Sequence, residues 1–274
     1  MSEKVTIIEP ERPFFHFDFS DFWKYRELIW LMGWRDTQLR IKQTVVGFLW
    51  IILQPLLPAL IFFFIFGVFA NIQKANQEYF LKLFSGMAIW GLFSNIVIRN
   101  TGCLTGNSTL ITKIYFPKLT IPFSNVFPAL FDFLVSLLLT IFLVFFFKIG
   151  ISIKLVALPL FILEAIFMAL AFGLLFATLN SFFRDFQNAI SFIIQLWMYA
   201  SPVIYDFSMI SKKWHFLLYC NPVCSFIEGF RWSLSLNSFF SKRIFIVSLF
   251  FSGIMFFSSL LIFNYYERHF AEKL

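Results

Sequence analysis

The sequence predicts an all-α integral membrane protein. It should have six transmembrane helices, an N-terminal amphipathic interface helix, a short cytoplasmic helix between two spans, and re-entrant half-helices on the outer face. Three observations carry this reading. Of 274 residues, 59% are hydrophobic and only 14% charged, a balance too apolar for one soluble core to absorb. The apolar residues gather into runs near the ~20 residues that a hydrocarbon layer of ~30 Å requires. The net charge of +7 is spread over the ends of those runs, where basic residues fix topology, and forms no patch of the kind that binds nucleic acid.

Residues 1–17 read as an irregular tail broken by Pro10 and Pro13. They carry Glu3, Glu9 and Glu11 and no apolar run, so they do not look like a secretory leader, and the N-terminus is expected to be retained. Residues 18–44 form an amphipathic interface helix and a basic approach to the membrane. Over 18–34, Phe19, Phe22, Trp23, Ile29, Trp30 and Trp34 should share one side, Asp21, Lys24 and Glu27 the other, with Arg26 breaking the stripe. Rich in Trp and followed by Arg35, Arg40 and Lys42, this segment belongs in the headgroup region.

Residues 45–274 make up the six-span domain. The first span is 45–69, with no charge between Lys42 and Lys74. The second, 80–100, is the weakest of the six, marked by Lys82 and Arg99 at its ends. Spans three and four, 119–147 and 155–183, are interrupted only by Asp132 and Glu164. The fifth, 186–205, follows Arg184-Asp185, which is expected to act as topology anchor and cap. Residues 244–266 close the set. Between the last two spans, 206–243 is too polar to cross, yet holds apolar pieces at 214–219 and 223–236 separated by Asn221-Pro222. Pro202 and Pro222 stop regular helix on either side, so two half-helices dipping into the outer face are expected.

Orientation follows from Lys and Arg. Seven of them, Lys4, Arg12, Lys24, Arg26, Arg35, Arg40 and Lys42, precede the first span and place the N-terminus in the cytoplasm. Six spans return Arg268 and Lys273 to the same side. The outer region is basic too, through Lys212, Lys213, Arg231, Lys242 and Arg243, read as solvated charge.

This orientation puts the insert 107–122 in the cytoplasm, and the insert has the punctuation of a helix. Asn107 or Ser108 can cap its start, Leu110, Ile111, Ile114 and Tyr115 share a face, and Pro117 prevents propagation. Lys113 and Lys118 sit at the rim. A short helix with a sticky face, held at the membrane surface by two spans, is what a separate motor protein can grip.

Chemistry of the chain's own is sparse. It has no G-x-x-x-x-G-K-[ST] phosphate loop and no G-x-S-x-G nucleophile motif, so ATP hydrolysis is assigned to another chain and an enzyme reading has little support. His16, His215 and His269 are far apart, and Cys103, Cys220 and Cys224 lack a zinc-like spacing, so no metal or cofactor site is expected. Asp132 and Glu164 are functional candidates because burying a carboxylate in a membrane is costly. With no Lys or Arg partner evident within the spans, a structural role weighs more.

Several runs resemble one family in order. They are Arg35-Asp-Thr-Gln-Leu-Arg-Ile-Lys-Gln-Thr-Val-Val-Gly-Phe-Leu-Trp-Ile-Ile-Leu-Gln-Pro55, Asn107-Ser-Thr-Leu-Ile-Thr-Lys-Ile-Tyr-Phe-Pro-Lys118, Leu179-Asn-Ser-Phe-Phe-Arg-Asp185, Ser201-Pro-Val-Ile-Tyr205, and Asn221-Pro222 followed by Ile227-Glu-Gly-Phe-Arg-Trp232. They are similar to type-2 ABC transporter permeases that export polysaccharides, most of all those for O-antigen (lipopolysaccharide), with capsule and teichoic-acid exporters as cousins. The resemblance implies a homodimer in the bacterial inner membrane joined to two cytoplasmic ABC ATPase subunits that hold ATP and Mg, exporting an undecaprenyl-diphosphate-linked glycan. It implies a coupling helix at 107–118, with Leu110, Ile111, Lys113, Ile114, Tyr115 and Lys118 meeting the ATPase, and an interface helix bearing Phe22, Trp23, Trp30 and Trp34. It also implies an outer gate in 206–243 with Pro202, Asn221, Pro222, Glu228 and Arg231.

A sugar polymer must slide without sticking, and a wall of rings with few charges suits that task. The first span offers Trp50, Phe62, Phe63, Phe64 and Phe66, and the fifth Trp197, Tyr199 and Tyr205; of these Trp50, Phe62, Phe66, Trp197, Tyr199 and Tyr205 are the candidates for a substrate channel. Lipid-facing rings would give the same sequence. Two readings from other classes are an ion-driven flippase for lipid-linked sugars, which would use Asp132 and Glu164, and a membrane glycosyl- or phosphotransferase, which would need a metal-binding acidic cluster.

Overall fold

The computed structural model describes residues 19–42, 48–69, 76–150, 152–183, 185–205, 210–236, 238, 240–267 and 270. The tail 1–17, the start of the first span at 45–47, Arg184, residues 206–209 of the gate region, and Arg268 and Lys273 lie outside the described residues.

The interface segment is two helices, α1 (Phe19–Lys24) and α2 (Arg26–Lys42), jointed at Tyr25, and it runs eight residues beyond the predicted end at Trp34. The predicted apolar stripe divides between two faces. Ile29 and Met32 are buried against the protein, whereas Trp23, Trp30 and Trp34 are exposed. Trp30 and Trp34 stack with centroids 6.0 Å apart, and Trp30 meets Phe127 edge-on at 5.2 Å.

The first span is α3 (Phe48–Phe62), continued over Phe63–Phe69 in wider π-helical turns. Pro55 and Pro58 lie inside α3. Each lacks an N–H and crowds the carbonyl four residues earlier, which loosens the regular ladder. After it come α4 (Gln77–Thr101), the short α5 (Cys103–Gly106), α6 (Ser108–Lys113) and α7 (Thr120–Ser124), and then α8 (Val126–Phe146). A 3-10 turn at Ile153–Ala157 leads into α9 (Leu158–Phe182), followed by α10 (Phe186–Tyr199), α11 (His215–Cys220), α12 (Val223–Ser233) and α13 (Lys242–Tyr266).

Five of these segments, not six, are long and apolar enough to cross a membrane among the described residues: Leu49–Phe69, Gln77–Thr101, Thr120–Phe146, Ile153–Phe182 and Lys242–Tyr266. The predicted fifth span is the exception. Its helix α10 has 14 residues, so at 1.5 Å per residue it reaches only about 21 Å, short of the ~30 Å needed.

The second span, weakest in sequence, is the hub. Its window is 72% buried, against 17% for the first and last spans. Helix α4 packs most extensively on α9 and α8 and also meets α3, α10 and α12. Phe84, Phe93, Ile96 and Val97 of α4 share one core with Ala165, Met168 and Ala169 of α9 and with Phe226 and Phe230 of α12. A helix shielded from lipid by its neighbours can be less hydrophobic, because protein rather than acyl chain surrounds it. At the other side of α9 runs α13, whose buried face carries Ser248, Ser252 and Ser259. Small side chains of this kind let membrane helices approach closely.

Candidate functional site

Three places carry the candidate residues: the insert after α4, the broken end of α10 with its cap, and the exposed faces of α3 and α10. At the insert, α6 stops at Lys113, and Ile114 is extended (φ −130°, ψ 134°), so the predicted helix to Pro117 is shorter by a turn. Asn107 does not cap it. Its Nδ2 donates 2.9 Å back to the carbonyl of Cys103, across α5.

Shortening splits the predicted single face. Ile111 is 6% exposed in a cluster with Leu104, Leu119 and Phe263, and Leu110 packs beside it. Ile114 and Tyr115, at 57% and 83%, stand out from the surface together with Lys113. Lys118 is no rim residue either. Its backbone N–H donates 2.8 Å to Oε1 of Glu267, and its ammonium donates to the Glu267 carbonyl and lies 5.8 Å from the Phe270 ring centroid. Burial holds its amine below the usual lysine range, an effect the Glu267 carboxylate partly offsets.

At the far end of α10 the helix breaks and the chain turns through a buried stretch, Ser201, Pro202, Val203 and Ile204. A broken helix leaves carbonyls without partners, which is tolerable at membrane depth only when protein supplies donors. Arg231 of α12 supplies them. Nη1 donates to the Pro202 carbonyl (2.6 Å) and to Oε1 of Glu228 (2.8 Å), Nη2 to the Val203 carbonyl (2.7 Å), and Nε to the Lys82 carbonyl on α4 (3.0 Å). Read in sequence as solvated charge, Arg231 is instead 2% exposed. Glu228 neutralises it, as a buried guanidinium requires.

Asn221, between α11 and α12, makes a second joint. Its Oδ1 accepts from the Trp197 indole (3.1 Å) and from the Val223 N–H (3.2 Å), while Nδ2 donates to Ser201 Oγ (2.9 Å). The Pro222 carbonyl accepts 2.9 Å from Ser248 Oγ and ties the joint to α13. So the predicted gate residues Pro202, Asn221, Pro222, Glu228 and Arg231 do come together, as a fastened hinge of backbone carbonyls and side-chain donors. Tyr205 is half-buried at its edge.

The six channel candidates form no single wall in one copy. Helix α3 packs on α4 and α8, and α10 on α4 and α9. Trp50 is exposed, while Phe62 and Phe66 are half-buried and stacked with centroids 6.0 Å apart. Trp197 belongs to the core, edge-on to Phe172 at 5.1 Å and Phe93 at 5.6 Å. Tyr199 is exposed at the end of a stripe that the sequence reading missed: Asn188, Ser191, Gln195 and Tyr199, spaced three, four and four along α10 and partly or fully exposed. The signal was there, since polar residues at helical period in an apolar helix mark one face.

Asp132 has the partner the sequence did not reveal. Its carboxylate pairs with Arg40 Nη1, while Nη2 of Arg40 donates to Gln54 Oε1 at 3.2 Å. Glu164 is 2% exposed, and among the described residues neither of its oxygens meets a hydrogen-bond donor in good geometry. The hydroxyls of Ser225 and Ser248 stand beside it, but Ser248 donates to Pro222 and Ser225 Oγ is itself unpaired. Asp185 supplies no side-chain cap for α10; Asn180 does, accepting 3.0 Å from the Gln187 N–H.

Residues 27–235, from α2 to just past α12, match the ABC-2 type transporter family. The chain belongs to that family. It is 31% identical over 242 residues to an O-antigen export system permease protein RfbA of Klebsiella pneumoniae, covering 88% of this chain and 92% of the relative. A second Klebsiella pneumoniae RfbA is 32% identical over the same shares, and the Myxococcus xanthus RfbA is 29% identical over 77% of this chain and 81% of the relative. An ABC-2 permease is the membrane-spanning subunit of a transporter, so insert, hinge and polar stripe are parts of a transport subunit.

Proposed function

We propose that this permease is the membrane half of an ATP-driven exporter for a lipid-linked polysaccharide of O-antigen type, carried on undecaprenyl diphosphate across the bacterial inner membrane. The observation that carries the reading is the 31% identity with an O-antigen export permease across nearly the whole length of both chains. Two copies form the pathway, and each engages a cytoplasmic ABC ATPase subunit that holds ATP and Mg. The broken helix α10 and the buried turn after it together complete a sixth crossing, so both termini face the cytoplasm, and so does the insert, where Ile114 and Tyr115 form an apolar knuckle that fits a groove of the ATPase.

The pathway runs along the faces of α3 and α10. Amide groups facing lipid would lose their hydrogen bonds, so Asn188 and Gln195, with Ser191 and Tyr199 on the same stripe, face water and glycan. Neutral donors and acceptors exchange partners readily with sugar hydroxyls and hold none of them tightly. Capsular or teichoic-acid glycan would use the same wall.

The test is a pull-down of the ATPase by the full-length permease, with cell-surface polysaccharide measured in parallel. Ile114→Asp together with Tyr115→Asp should leave a folded, membrane-inserted chain that retains no ATPase and exports nothing. Undiminished capture by this variant would remove the knuckle from the coupling.

A proton-driven carrier is the second reading, favoured by Glu164, a buried carboxyl without a good partner among the described residues. Transport lost in Glu164→Gln but kept after ATP depletion would select it.

A further inference from the structure

Arg99, two residues before the end of α4, sits in a corner with Arg40, Asp132 and Asp36. Its side chain is partly buried, its backbone carbonyl accepts from Asn125 Nδ2, and among the described residues no hydrogen bond or ion pair meets the guanidinium. Such a group has five donors that want acceptors once water is restricted. The local carboxylates are taken. Asp132 pairs with Arg40, and Asp36 accepts from Arg35 at 2.9 and 3.0 Å. Among the described residues, Arg35, Arg40 and Arg99 thus share Asp36 and Asp132, an excess of positive charge that an anion would balance.

The surroundings indicate what bears the anion. Gln54, which accepts from Arg40, belongs to an exposed stripe of α3 with Trp50, Leu57 and Ile61, spaced four, three and four. A hydrocarbon chain laid on Leu57 and Ile61 would bring a headgroup to Gln54 and the two arginines, with Trp50 at the interfacial level that Trp prefers. Of lipid headgroup anions, phosphate matches a guanidinium best, because its oxygens accept two parallel N–H bonds.

We infer that Arg99 and Arg40 bind the phosphate of a lipid whose hydrocarbon lies along the exposed face of α3. The phosphate can come from a phospholipid of the surrounding bilayer or from a polyprenyl carrier. Only the second source rests on the export reading; the site itself does not.

The experiment titrates the full-length permease in detergent with dioleoylphosphatidylglycerol, with undecaprenyl phosphate, and with dioleoylglycerol as the phosphate-free control. Arg99→Gln should weaken phosphate-lipid binding about tenfold, and Arg99→Lys, which keeps the charge without the fork, should fall between. Asp132→Asn, which removes a competing anion, should tighten it. A response to phosphatidylglycerol alone assigns the site to a bilayer headgroup, to undecaprenyl phosphate alone to the carrier, and to both to lipid phosphate from either source. Equal binding of dioleoylglycerol, or titrations unchanged by Arg99→Gln, would overturn the site. If Arg99→Gln does not purify as a monodisperse protein, the Asp132→Asn titration decides, and no tightening overturns it.

Discussion

Nη2 of Arg231 occupies the space where a side chain at Gly86 would begin: a Cβ on Gly86 would lie 2.5 Å from it and 2.9 Å from the Val203 carbonyl. The absence of a side chain on α4 therefore admits the guanidinium that satisfies the broken end of α10. Gly86→Ala should lower stability by about 2 kcal/mol or more, since it forces both the arginine and a backbone carbonyl to move. Arg231→Met should be worse, about 3–5 kcal/mol, because Glu228 is left buried without its counter-charge. Gly91→Ala meets nothing within 4 Å and should stay within about 0.5 kcal/mol. Detergent-solubilised unfolding curves of the three variants check the order.

The Trp197 and Asn221 pair tests the second joint. Trp197→Phe keeps most of the ring packing and removes the indole donor, and Asn221→Ala removes the acceptor. A double-mutant cycle between them should show a coupling of about 1 kcal/mol, reflecting one partly buried hydrogen bond. Additive losses would show that the two side chains act on α10 separately.

In the insert, adjacent apolar residues should fail differently. Ile111→Ala empties a buried site and should destabilise the permease by about 2–4 kcal/mol. Tyr115→Ala should leave the melting curve of the isolated permease unchanged, for its ring touches little of its own chain. Thermal melts separate them.

Thiol labelling probes the cap and its orientation together. Cys220 is exposed, whereas Cys103 and Cys224 are buried, and burial pushes both of those thiols well above the usual range. A membrane-impermeant maleimide added outside intact cells should label Cys220 alone. Because the raised thiols stay protonated, moving from about pH 7 to about pH 8.5 should not bring Cys103 or Cys224 into reaction in the folded protein. Labelling lost in Cys220→Ser confirms the site; labelling of Cys220 only after the membrane is opened would reverse the orientation.

The gate region shows how far local chemistry reads through. The two half-helices predicted at 214–219 and 223–236 appear as α11 and α12, with Pro222 at the junction, because proline and asparagine act on their own backbone. The role of Arg231 did not read through, since nothing near it in sequence shows that the Lys82 carbonyl, 149 residues away, and the Pro202 carbonyl converge on it. Asp132 is the same case, its partner Arg40 lying 92 residues off.

The sequence by itself determined the membrane class, the places where apolar runs begin and end, and the breaks at Pro202 and Pro222. Hydrophobicity and proline geometry are properties of a residue and its immediate neighbours. Only the tertiary structure decided that the weakest span is the buried hub, that α10 breaks after 14 residues into a buried turn, that Ile111 points in while Tyr115 points out, and that among the described residues the Arg99 guanidinium has no partner where Arg231 has four. Those outcomes depend on which helices pack together. A helix's own period marks its faces but does not say whether lipid, protein or water covers each one.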